Sequence, residues 1–297
     1  MLQQLLDSVV LASIYILFSI GMSLAWGILG ILNLAHGAIL MFSAYVAYLW
    51  ADSTSASLPM VLIAGLLAGG VLSLLMELGP FRAIRHSVGD AEELELRTVI
   101  ASLGVSTILV AVAAHYTGNT SFQVPTTFQP TAYQIGSVRI SDLQVIIIVV
   151  GFGLSLLLAL WLSRSRNGRA VRALESDVET AALMGISERK LSSATMFVSG
   201  ALAGLAGVFL VIYLGATDPA ASHSLLTSAF AVIVIGGVGS IGGAVIGALV
   251  LALLETLVIS NTSGVWSPAI AFSFIIVVLL VRPEGLFSSS RTKVDRV

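Results

Sequence analysis

The stretch that decides the fold runs from Leu225 to Ile259 and reads LLTSAFAVIVIGGVGSIGGAVIGALVLALLETLVI. It holds one charged residue, Glu255, and is apolar on both sides of a glycine-rich centre, Gly236-Gly237-Val238-Gly239-Ser240-Ile241-Gly242-Gly243. A bilayer core takes about 20 helical residues to cross, so this run is too long for one span and suits two short ones. Glycine permits the tight reversal between them. The reading is therefore a helical hairpin, Leu225 to Ile241 followed by Gly242 to Ile259.

The same pattern extends over the whole chain. Of its 297 residues, 57% are hydrophobic and only 10% are charged, with a mean hydropathy of +1.01. A soluble domain carries about 25% charged residues to wet its surface, so a water-soluble globule is excluded. The net charge of -2 gives no basic face for nucleic acid, and the absence of Cys removes thiolate catalysis, Cys-based zinc sites and iron–sulfur clusters. Further apolar runs lie at Ser8 to Gly30, Asn33 to Trp50, Leu58 to Leu78, Thr98 to Tyr116, Leu143 to Leu162, Leu191 to Leu214 and Val265 to Val281. Transmembrane strands would alternate strictly over ~10 residues, and runs such as Val145 to Val150 do not. The expected fold is an all-α, polytopic transmembrane bundle of about eight or nine spans in one domain, residues 1–287, with a polar tail at 288–297.

Positive charge orients the bundle, because cytoplasmic loops retain Lys and Arg. Arg82, Arg85 and Arg97 fall in one loop, Arg164 to Lys190 in a second, and Arg282, Arg291, Lys293 and Arg296 at the C-terminus, leaving only Arg139 elsewhere. Those regions are expected inside the cell, with Thr117 to Ser141 outside. From Lys190 to Arg282 the chain must then cross an even number of times, and four crossings satisfy this if Leu225 to Ile259 is a hairpin. At the other end, no Lys or Arg precedes Arg82, so a signal-peptide n-region is missing and the first span is expected to be retained. The N-terminus lies outside if Asn33 to Trp50 crosses fully, and inside if that segment is re-entrant.

The longest cytoplasmic loop, residues 163–190, carries a marked short helix in its second half. Ser176 and Glu179 have capping-box spacing, and Gly185 can take the left-handed conformation that ends a helix. Asp177 and Glu179 suit the positive end of the helix dipole. About eight residues are enclosed, too few for a stable isolated helix in water, so something must hold it. Val178, Ala181 and Ala182 form a stripe of helical spacing that can pack on the membrane domain itself or on another subunit.

Here the residues resemble a known pattern. Glu179-Thr180-Ala181-Ala182-Leu183-Met184-Gly185 is similar to the Glu-Ala-Ala-x-x-x-Gly loop of ABC importer permeases, with Thr180 in place of the first Ala. Gly27 to Ala38, the stretch from Arg169 through Leu257, and Arg282-Pro283-Glu284-Gly285-Leu286-Phe287 resemble, in family order, the branched-chain amino acid permease family. The resemblance implies a membrane subunit of the bacterial inner membrane. It implies partners too: a second homologous permease, two cytoplasmic ATPase subunits that use ATP and Mg2+, and a periplasmic or lipid-anchored substrate-binding protein. The helix of Ser176, Glu179, Ala181, Ala182 and Gly185 would be the coupling element. No cofactor is expected on this chain: it has no phosphate loop, no HExxH and no G-x-S-x-G elbow.

Ionisable groups inside a membrane are costly and often functional. Asn33 and His36 share a helical face between Gly30 and Gly37; they mark either a discontinuous helix at the translocation path or hydrogen bonds that stabilise packing. Glu255 is the other path candidate, and near the end of its span it can also simply pair locally. Asp7, Glu77 and Asp142 read as interfacial. Gly65/Gly69, Gly200/Gly204 and Gly243/Gly247 suit close helix packing without naming partners. The expected function is half of a gated import path for branched-chain amino acids. Urea, short amides or other amino acids are alternative cargoes within the same family, and an ion-coupled secondary transporter is a further alternative.

Overall fold

Backbone N–H and C=O groups in hydrocarbon must be satisfied within the segment that carries them, and each apolar run accordingly becomes a helix. The computed structural model describes residues 1–30, 32–261 and 266–281. The first three apolar helices are α1 (Leu2–Leu29), α2 (His36–Ser53) and α3 (Leu58–Met76). A π-helical turn over Glu77–Phe81, containing Pro80, leads into α4 (Arg82–Ser87), and α5 (Ala91–Thr117) follows. After a small hairpin come α6 (Asp142–Arg164), α7 (Arg166–Ser176), α8 (Val178–Leu183) and α9 (Glu188–Leu214). The last three are α10 (Ser222–Gly236), α11 (Ile241–Asn261) and α12 (Ser267–Val281). Seven helices among the described residues are long and apolar enough to cross a membrane. With α2, of 18 residues, and α12, of 15, the expected apolar helices are all present. The tail at 288–297 and the segment from Arg282 to Phe287 lie outside the described residues.

The glycine-rich centre of the opening stretch is the turn between α10 and α11, with Gly237 at φ 86 and Gly239 at φ 79, conformations that L side chains rarely adopt. The paired glycines also find partners. Gly69 of α3 lies against the Gly200 carbonyl of α9, and Gly204 against the Gly65 carbonyl, so the two small-residue motifs face each other across one crossing. Gly243 and Gly247 of α11 lie on Gly236 and Val232 of α10.

Three features that the sequence reading did not specify have local causes. The third span runs on past Leu78 through the π turn, which brings Glu77 into an ion pair with Arg85 and buries it in the bundle at that end. A charge that close to the membrane end is retained because it is paired. Within Thr117 to Ser141, β1 (Ala132–Ile135) and β2 (Val138–Ser141) pair antiparallel around Gly136, which has φ 63. Finally, the hairpin fixes the N-terminus: the Arg139 amide donates to Gln3 Oε1 at 2.9 Å, and Gln144 Nε2 donates to Asp7 at 3.3 Å. The start of α1 therefore shares a face with the hairpin, opposite the face that holds the Arg-rich loops, and α2 returns to the hairpin face, where Thr127 N bonds Ala56 O at 3.1 Å.

Candidate functional site

Two regions stand out, one on the Arg-rich face and one inside the bundle. On the Arg-rich face α7 packs Val171 and Leu174 into a cluster with Leu24 of α1, Leu162 of α6 and Ala181 of α8. This anchors α8, a helix of only six residues. Its cap is Asp177, not Ser176: Asp177 Oδ1 accepts from the Thr180 amide at 3.0 Å and Oδ2 from the Thr180 hydroxyl at 2.8 Å. Ser176 instead closes α7, its hydroxyl donating back to the Arg172 carbonyl at 3.0 Å. The helix α7 runs one residue further than the capping-box reading allows, which moves the cap from Ser176 to Asp177.

The end of α8 follows the expectation. Gly185 has φ 82, its amide donates to Ala182 O at 2.9 Å, and the Ile186 amide donates to Ala181 O at 3.1 Å. These two bonds form a Schellman closure, and Ile186 packs in the same cluster as Ala181. Of the expected stripe, Ala181 alone is enclosed; Val178 and Ala182 are exposed. The residues that the stripe missed are Leu183 and Met184, 88% and 80% exposed at the tip. Their signal was present in the sequence as two large apolar residues directly before the terminating glycine.

Inside the bundle, the chain between α1 and α2 breaks its helix. Gly30 ends α1 with φ 62, residues 32–35 are non-helical, and α2 begins at His36 beside Phe18, near the middle of α1. Non-helical backbone at such depth needs partners from the protein. The Leu34 amide donates to Ser102 Oγ at 3.1 Å, the Ala35 amide to Asn33 Oδ1 at 3.0 Å, and the His36 amide to the Asn33 carbonyl at 3.3 Å. Asn33 thus satisfies the break that it sits in. The His36 ring stacks on Phe18 with centroids 4.9 Å apart, and Nε2 lies 3.2 Å from the Phe18 carbonyl; as that oxygen can only accept, Nε2 carries the proton. Both side chains are buried.

Glu255 is brought together with neither of them. It is 0% exposed, and its carboxylate ties three helices: Tyr15 of α1 donates to Oε2 at 2.6 Å and Ser228 of α10 to Oε1 at 3.1 Å. It lines a cavity of about 420 Å³ with Gln4, Asp7, Tyr213 and Ser224, walled by Leu11, Leu210 and Leu225. Sequence reading missed Tyr15 and Ser228, because partners 240 and 27 residues away leave no local spacing to detect.

The family model described as "Branched-chain amino acid transport system / permease component" matches residues 4–281. The chain is 31% identical, over 312 residues, to the high-affinity branched-chain amino acid transport system permease protein LivH of Escherichia coli, covering 100% of this chain and 97% of that protein. It is 30% identical over 305 residues to the corresponding permease protein BraD of Pseudomonas aeruginosa, covering 100% and 98%. Among solved structures it is similar to PsaBC from Streptococcus pneumoniae in complex with Fab, with a TM-score of 0.50 at 13% identity, over 94% of this chain and 91% of that one. Identity that low bears on the fold alone.

Proposed function

Because this chain belongs to the branched-chain amino acid transport permease family, we propose that it is the membrane-spanning subunit of an ATP-binding-cassette importer and forms half of the path for branched-chain amino acids. Its Arg-rich face lies in the cytoplasm of a bacterial cell, by the rule that such loops stay inside. A second homologous permease supplies the other half of the path. Two ATPase subunits hydrolyse ATP with Mg2+, and a periplasmic or lipid-anchored binding protein delivers the solute.

The observation that carries this reading is the tip of α8. Leu183 and Met184 stand 88% and 80% exposed on a helix closed at both ends and anchored through Ala181. Large apolar side chains held rigidly outside the membrane are suited to a groove on another protein. A short rigid knob also transmits a rigid-body movement when the ATPases close. The chain itself supplies the door and the lever; the nucleotide chemistry resides in the partners.

The test is to replace Leu183 and Met184 together with Asp. The variant is expected to accumulate and fold in the membrane, since neither side chain is packed, and to lose the ATPase subunits on purification. Unchanged co-purification with unchanged uptake overturns the assignment. So does solute movement by the purified chain alone, in vesicles without nucleotide.

A further inference from the structure

We infer that the β1–β2 hairpin is a membrane-surface anchor, whose apolar face of Tyr133, Ile135, Val138 and Ile140 lies among the lipid headgroups and upper acyl chains of the leaflet opposite the Arg-rich loops. This goes beyond the importer reading and stands independently of it.

Strand register divides the hairpin into two unlike faces. Side chains alternate along a strand, and cross-strand partners share a face. Tyr133 pairs with Ile140 and Ile135 with Val138, while Gln134 pairs with Arg139 and Ala132 with Ser141. One face is therefore wholly apolar, and the other carries the polar groups. The polar face is the one turned to the bundle: Ala132, Arg139 and Ser141 line a cavity of about 590 Å³ with Gln3 of α1, Gln144 of α6 and Tyr213 of α9. This inverts the order of a hairpin in water, where the apolar side packs inward and the polar side is solvated. Tyr133 and Ile135 instead stand 53% and 69% exposed.

Depth and direction identify lipid as the occupant of that face. The hairpin runs into α6 without a spacer: Ser141 and Gln144 close a capping box, and the Asp142 amide donates to the Thr131 carbonyl at 3.1 Å. Leu143 to Leu162 covers about 30 Å at 1.5 Å per residue, the thickness of a hydrocarbon core, so the strands begin where that core ends. On α6 the exposed residues Val145, Val149, Leu156 and Leu160 form one stripe of helical spacing, on the side away from Leu143, which lines the same cavity as the polar hairpin face. The apolar hairpin face, also turned away from that cavity, continues the lipid-facing stripe into the interface. Tyrosine suits that level, with its ring in the apolar layer and its hydroxyl toward water. A soluble protein seated on the end of the bundle would approach along the membrane normal, whereas this face looks sideways. Because Gln3 accepts from the Arg139 amide at 2.9 Å, an anchor here sets the depth of α1 as well as of α6.

The chain has no Cys, so single spin labels can be placed on it through Ile135→Cys, on the apolar face, and Gln134→Cys, on the polar one. The labelled full-length chain is held in nanodiscs of phosphatidylethanolamine and phosphatidylglycerol, alone and assembled with its partner subunits. Collisions of each label with oxygen, which concentrates in lipid, and with a water-soluble nickel chelate are then compared. The oxygen-to-nickel ratio is expected to be severalfold higher at position 135 than at position 134 in both preparations. Tyr133→Cys reads the same apolar face should Ile135→Cys accumulate poorly. Equal ratios on the two faces overturn the inference, because the apolar face then stands in water. A label on that face shielded from both reagents on assembly also overturns it, in favour of a protein partner on this flank. Neither result touches the importer assignment, which is judged by the ATPase co-purification.

Discussion

At the scale of single residues, the α7–α8 segment holds the sharpest tests. Asp177 satisfies an α8 amide and a hydroxyl at once, so Asp177→Ala should cost about 1 kcal/mol of local stability, whereas Ser176→Ala should cost far less. Amide hydrogen exchange over residues 178–186 reads the difference; equal protection in the two variants would restore the Ser176 cap. Gly185 has open space around an absent Cβ, so the penalty of Gly185→Val comes from φ 82 alone, about 1–2 kcal/mol. Gly185 could be read from the sequence because glycine has little competition for that conformation. The cap could not, because Ser176 and Asp177 are adjacent and both are good N-caps; where α7 ends decides between them. Glu175 adds a pH dependence. The residue as a whole is exposed, yet its carboxylate is tucked against Gly27 of α1, and this desolvation raises its pKa from 4.5, with Arg172 pulling the other way. For an acid with a raised folded-state value, the favourable contribution is complete below the unfolded pKa and is lost as pH climbs through the folded one. Glu175→Gln should therefore gain thermal stability relative to the parent as pH rises above about 4.5, and a constant gap across that window would remove the assignment.

At the scale of elements, the α3–α9 crossing depends on glycines that face backbone. A methyl at Gly69 would meet the Gly200 carbonyl, so Gly69→Ala must push the helices apart and should cost roughly 1–3 kcal/mol, the usual effect of overpacking. Gly104 of α5 has nothing near its missing Cβ, and Gly104→Ala should be neutral or gain up to about 1 kcal/mol of helix propensity. Thermal unfolding in detergent compares the two; similar midpoints would mean that the crossing tolerates separation. The motifs were legible as close-packing faces, but their pairing was not, since any small-residue face fits any other. The same limit hid the Tyr15–Glu255–Ser228 junction. A lone acid in an apolar run announces itself, while tyrosine and serine are ordinary in membrane helices until three-dimensional contact gives them a purpose. The helix break at 32–35 lies between these cases: Gly30 and Asn33 signalled it, and the partner that completes it, Ser102, lies 68 residues from Leu34.

At the scale of the whole molecule, the apolar runs and the charge asymmetry were readable because the bilayer imposes them, one through length and the other through which loops keep Lys and Arg. The N-terminal orientation was not, as no Lys or Arg precedes Arg82 to bias it. Tertiary contacts decide it instead. Gln3 and Asp7 bond to the hairpin and to the start of α6, while Gly27, at the other end of α1, lies against Glu175 of α7. Since α1 connects the two faces in one continuous helix of 28 residues, about 42 Å at 1.5 Å each, its ends must lie on opposite sides. The break after Gly30 does not alter this count, because α2 still ends beside Thr127. The consequence is measurable in intact cells. Single thiols introduced as Leu2→Cys and Ser137→Cys should both react with an impermeant maleimide added outside, and Leu183→Cys should react only after the membrane is opened. Reaction of Leu2→Cys on the same side as Leu183→Cys would make the first helix end where it begins and would break the packing of α1 against α6 and α11 on which the cavity at Glu255 depends.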